Sequence, residues 1–176
     1  MRPAATGYAA GQRAAHAARA TSEGRPAVQV LDASIEIDAP AECVWEVLAD
    51  TACYGEWNPF VTGIAGELRE GADLKVTISA PGRKPVTFAA RAKRLVPGRE
   101  LRWRGRWFLP GLFDGEHALT VESLGQDRSR FRTREEVTGL LLPLLGKAMR
   151  QSQQGFEELC RGVKTRAESE SIVRRA

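Results

Sequence analysis

Between residues 61 and 139 the chain alternates apolar and polar side chains, and turn signals break it about every eight to twelve residues. The breaks fall at Gly66 to Gly71, Pro81-Gly82, Pro97-Gly98, Pro110-Gly111 and Gly125-Gln126-Asp127. This pattern predicts an antiparallel meander with one apolar face and one wet face. The inward positions are Leu74, Val76 and Ile78; Val86, Phe88, Ala90 and Ala92; Leu101, Trp103, Gly105 and Trp107; His117, Leu119 and Val121; and Phe131, Thr133, Glu135 and Val137. The small residues among them, Ala90, Ala92, Gly105 and Gly115, are expected to leave space.

The flanking segments complete the fold class. Leu31, Ala33, Ile35 and Ile37 alternate as a strand. In DAPAECVWEVLAD, Asp38 is the expected N-cap and Pro40 a first-turn residue, ahead of a short stripe of Val44, Val47 and Leu48. YGEWNPF follows, at most one helical turn, because Pro59 disfavours helical geometry at Asn58. Near Pro143 begins an amphipathic helix of about twenty residues with Leu145, Met149, Ser152, Phe156, Leu159 and Val163 on one face. The reading is α+β: a curved antiparallel sheet of about seven strands wrapped around a long C-terminal helix, with two short helices after the first strand.

A chain of 176 residues supports one folded body, expected at residues 27–166, between a disordered leader at 1–26 and a disordered tail at 167–176. The leader has no apolar core of a signal peptide, and no stretch approaches the length of a membrane span, so the cytoplasm is the expected compartment. Cys43, Cys53 and Cys160 lack metal-ligand spacing and are expected to be reduced thiols. The net charge of +4 belongs to the ends: residues 27–160 hold 17 basic and 19 acidic groups. Arg102, Arg104, Arg106, Arg130, Arg132 and Arg134 point outward, but without stacking aromatics the face is expected to be salt-bridged rather than bound to nucleic acid.

Strand 31–37, APAECVWEVLAD, YGEWNPF, ELRWRG, GEHALTVE, REEVTGLLLP and the closing helix together resemble the START-like, polyketide-cyclase-like superfamily (SRPBCC) of helix-grip proteins. The resemblance spans residues 28–165 and is closest to a bacterial ligand-binding branch with a WNPF segment, a GEH strand and an H-x-E-x-F-x-G strand. Here Thr133 and Val137 replace that last pattern's His and Phe, whereas Glu135 and Gly139 match it. The resemblance implies an internal cavity between sheet and helix for a lipid, polyketide or other natural product.

With the hairpin turn centred on Gln126, His117 falls opposite Glu135 on the inner face, and Glu122 opposite Arg130 on the outer. A buried imidazole beside a carboxylate can be a mutually satisfied polar pair or a general base with its orienter. The expected ligand-binding residues are Trp57, Phe88, Trp103, Trp107, His117, Glu135, Met149 and Phe156, with the two tryptophans on the inner strand serving as cavity wall or core. His117 and Glu135 become catalytic only if the protein is an aromatase/cyclase-like enzyme. A third reading is a self-resistance protein that sequesters a toxic natural product. No cofactor or metal is implied, and the partner is a small hydrophobic ligand, with the chain a monomer or homodimer.

Overall fold

The computed structural model describes residues 28–106, 112 and 114–175. Seven strands form one antiparallel sheet: β1 (Val28–Ile37), β2 (Val61–Ala65), β3 (Asp73–Ile78), β4 (Val86–Val96), β5 (Glu100–Arg106), β6 (Asp114–Gly125) and β7 (Arg128–Thr138). Their order, β1-β7-β6-β5-β4-β3-β2, is a meander whose last strand returns beside the first. Two short helices, α1 (Ala41–Ala49) and α2 (Tyr54–Trp57), follow β1, and a long helix, α3 (Gly146–Arg175), closes the chain. This is a curled half-barrel gripping its C-terminal helix.

Leu74, Trp103, Leu119 and Phe131 from the sheet and Phe156, Leu159 and Val163 from α3 belong to one buried cluster, so the core lies between the concave face and the helix. At the edge strand β1, α3 satisfies backbone groups that would otherwise invite a further strand. The Gln153 amide donates to the Asp32 carbonyl at 2.9 Å and accepts from its N–H at 3.2 Å. Lys164 donates to the Glu36 carbonyl at 2.9 Å, and Glu168 accepts from the Asp38 N–H at 2.9 Å.

Two details depart from the sequence reading. Asp38 is not the N-cap of α1: the helix starts at Ala41 with Pro40 in the cap position, and the Asp38 N–H is turned toward α3. Helix α3 has 30 residues and runs past the expected boundary at 166, because Ala167 and Ser171 continue its buried face. The expected leader lies outside the described residues. No described helix is long and apolar enough to cross a membrane.

On the outer face, Arg102 bridges Glu116 at 3.0 Å and Glu100 at 2.7 Å, Arg130 bridges Glu36 at 2.9 Å and Glu122 at 3.2 Å, and Arg132 pairs with Asp32. Glu116 does stand opposite Glu136, as the hairpin register requires. Arg102 neutralises the first and Arg134, at 2.7 Å, the second. These exposed, solvent-screened pairs shape the face more than they stabilise it.

Candidate functional site

The β6–β7 register pairs His117 with Glu135, Leu119 with Thr133 and Val121 with Phe131. His117 and Glu135 are therefore inner-face neighbours, but the histidine bonds elsewhere: its Nε2 lies 2.7 Å from the Thr133 hydroxyl. The imidazole is held between two rings, stacked on Phe156 at 4.8 Å and tilted against Trp103 at 4.5 Å. Burial pushes its pKa from 6.5 down to about 3, so the ring is neutral at physiological pH. With only 4% of its surface exposed, it is a weak and poorly accessible base.

Thr133 occupies one of the two positions that differ from the H-x-E-x-F-x-G pattern, and its hydroxyl gives the histidine a partner there. Thr133→Val keeps the shape and strands Nε2 inside the protein. Urea unfolding is expected to show a loss of about 1–3 kcal/mol; an unchanged midpoint would mean that water reaches the ring.

Glu135 reaches toward Gly115, where an added Cβ would lie 2.5 Å from its Oε1. Surrounding protein raises its pKa from 4.5 to about 7, a consequence of desolvation. The residue nevertheless keeps part of its surface accessible. Among the described residues no hydrogen bond or ion pair engages its carboxyl. The inner face thus carries an acid that is protonated just below neutral pH and has an unused donor.

The other expected site residues separate into groups. Trp103 and Phe156 meet at His117, and Phe60 joins them edge-on against Phe156 at 5.4 Å. Phe88 lies across Gly105, where a Cβ would come within 2.6 Å of its ring. The spaces expected beside Gly105 and Gly115 are therefore occupied by Phe88 and Glu135. Met149 is buried on α3. Trp57 is not with His117: it lines an open groove between α2 and α3 with Pro59, Arg161 and Gly162. Trp107 lies outside the described residues.

Sequence reasoning missed how the WNPF segment is seated. The Asn58 side-chain oxygen Oδ1 accepts from the Phe60 and Val61 N–H groups at 3.1 and 2.9 Å, and its side-chain amide nitrogen is buried with no hydrogen-bond partner among the described residues. Phe60 presses on Gly155, where a Cβ would fall 2.1 Å from the ring, and the Trp57 carbonyl oxygen would lie 2.8 Å from a Cβ at Gly162. The recoverable signal was the seven-residue spacing of these glycines on the helix.

Residues 28–168 match the model of a family described as polyketide cyclase / dehydrase and lipid transport. The chain belongs to this family. Its fold matches the Zhui aromatase/cyclase of Streptomyces sp. R1128 (TM-score 0.63, 18% identity, 85% of this chain and 97% of that one). It also matches a START superfamily protein of Mycobacterium smegmatis (0.64, 18%, 80% and 98%) and a norcoclaurine synthase variant of Thalictrum flavum (0.60, 12%, 84% and 99%). Among curated proteins, none matches the sequence significantly. This member of the polyketide cyclase-like family offers no described group of three or more His, Cys, Asp or Glu able to hold a metal ion. Two of its thiols are not poised as nucleophiles: burial drives Cys160 up to about 12, and the hydrogen bond with Asp50 drives Cys53 up to about 11.

Proposed function

We propose that the protein binds a small hydrophobic or amphipathic molecule between the concave face of the sheet and α3, with Glu135 as its polar contact. The observation that carries this reading is the Glu135 carboxyl, crowded by protein, partly accessible and without a partner among the described residues. A buried carboxylic acid is costly to keep unless something accepts its hydrogen bond, and a ligand carbonyl or hydroxyl oxygen suits that role. Phe88 and Glu135 fill the spaces beside Gly105 and Gly115, so an apolar body admitted there takes the place of these side chains. The family description, which joins cyclases with lipid transport, supports the same class of ligand.

One observation favours a second reading, a cyclase-like enzyme: a carboxyl with a pKa of about 7 is tuned for proton transfer at neutral pH. In that case Glu135 is the titrating group and the enclosed His117 a structural neighbour.

Native mass spectrometry of the protein purified from its own host tests the binding reading. A non-covalently bound organic mass is expected, and Gly115→Leu, whose side chain displaces the Glu135 carboxyl, is expected to lose it at unchanged far-ultraviolet circular dichroism. A host-purified protein with no bound mass, or a variant that retains it, would sink the proposal. Turnover of a carbonyl substrate abolished by Glu135→Gln, with binding retained, would establish the enzyme.

A further inference from the structure

One end of the sheet collects the start of β1, the ends of β3 and β7, the start of β4 and the first turns of α3. Large apolar side chains stand in solvent there: Leu144 is 81% exposed, Leu140 72% and Val28 63%. Leu140 precedes, and Leu144 ends, a short 3-10 turn (Leu142–Leu144) whose Leu142 is buried, so the segment is anchored while these two leucines project. A hydrogen bond of 3.2 Å from the Leu141 N–H to the Leu112 carbonyl ties it to the β5–β6 connection. Another of 3.0 Å, from Gln151 to the Pro81 carbonyl, ties the start of α3 to the β3–β4 connection.

Two connections at this tip carry charges of one sign, while Asp114 at the start of β6 is buried and lies 3.7 Å from Arg104. Residues 79–86 and 139–151 contain Arg83, Lys84, Lys147 and Arg150 and no Asp or Glu. All four are exposed, and none has an ion-pair partner among the described residues. The arginines of the outer sheet face, by contrast, are paired with carboxylates. Residues 27–160 as a whole carry more acidic than basic groups, so the basic rim is local. Projecting leucines at the same tip as four exposed, unpaired cations complement a surface with an anionic headgroup layer over an apolar interior.

We propose that this tip, Leu140 and Leu144 with Lys147, Arg150, Arg83 and Lys84, docks the protein on anionic lipid bilayers. The leucines enter the acyl boundary and the cations sit among the headgroups. The inference stands apart from the ligand reading, because docking needs no occupied interior.

Co-sedimentation of the full chain with vesicles tests it. Equal parts phosphatidylglycerol and phosphatidylcholine should bind at least about tenfold more protein than phosphatidylcholine alone, and high salt should weaken binding by screening. Leu144→Asp, and separately Lys147→Glu with Arg150→Glu, should each lower binding by at least about fivefold, with melting temperatures unchanged because these side chains are exposed. Failure to sediment, equal binding to neutral vesicles, or variants that bind like the wild type would overturn the proposal. So would a dimer that Leu144→Asp converts to monomer, or binding to RNA without binding to vesicles, since each gives the patch a different occupant.

Discussion

Phe156→Ala is expected to destabilise the protein by about 3–5 kcal/mol, the range for phenylalanine truncation at fully buried sites. Phe156 is fully buried, stacked on His117 and edge-on to Phe60, which itself rests on Gly155. Its loss removes the layer between the helix and the inner sheet, and the seated WNPF segment loses its support as well. A second readout separates this from ordinary core damage. The low pKa of His117 arises from burial, and the Phe156 ring stacked on it at 4.8 Å is part of that cover. In the variant the imidazole should titrate well above about 3, moving toward 6.5. Histidine proton resonances report this directly, because His16 is the chain's other imidazole. A loss below about 1 kcal/mol, or a His117 signal that stays neutral through acid pH, would mean that the ring is not enclosed by this helix.

The strands were legible because period-two alternation and turn residues are local signals, and the hairpin register followed from one turn centred on Gln126. The site was legible only to the level of which residues share a face. That His117 and Glu135 are neighbours follows from register; that the imidazole turns to Thr133 and the carboxyl lies over Gly115 depends on side-chain rotation. Threonine was read as a departure from a family pattern rather than as a hydrogen-bonding partner. Helix α3 was placed correctly but cut short, because an apolar-stripe criterion stops at Val163 and gives Ala167 and Ser171 no weight. Trp57 was expected among the ligand-binding residues because it sits in the WNPF segment beside the sheet. The close approach allowed by Gly162 puts its backbone against α3 and leaves its side chain on an outer groove.

Glu135→Gln should remove the loss of stability that Glu135 causes as pH rises from about 4.5 to 7. The folded protein holds the Glu135 proton up to about pH 7 and the unfolded chain only to its ordinary 4.5. Between those values the folded state binds more protons, so this contribution is full below pH 4.5 and is lost as pH rises through 7. His117 acts on the other side: the unfolded chain protonates it below 6.5 and the folded protein not until about 3, so stability falls as pH drops below 6.5. From 4.5 to 6.5 the two slopes oppose each other, and wild-type unfolding free energies should form a plateau there. The glutamine variant loses the alkaline decline and keeps the acid one. Its stability relative to wild type should rise by about 3 kcal/mol between acid and alkaline pH, whatever the packing cost of the amide. Urea midpoints across that range measure the difference, and a pH-independent difference would show that Glu135 ionises as it would in water. The same proton links stability to the proposed binding. If neutral Glu135 donates to a ligand oxygen, wild-type affinity falls above about pH 7, whereas glutamine, which donates at every pH, keeps its affinity.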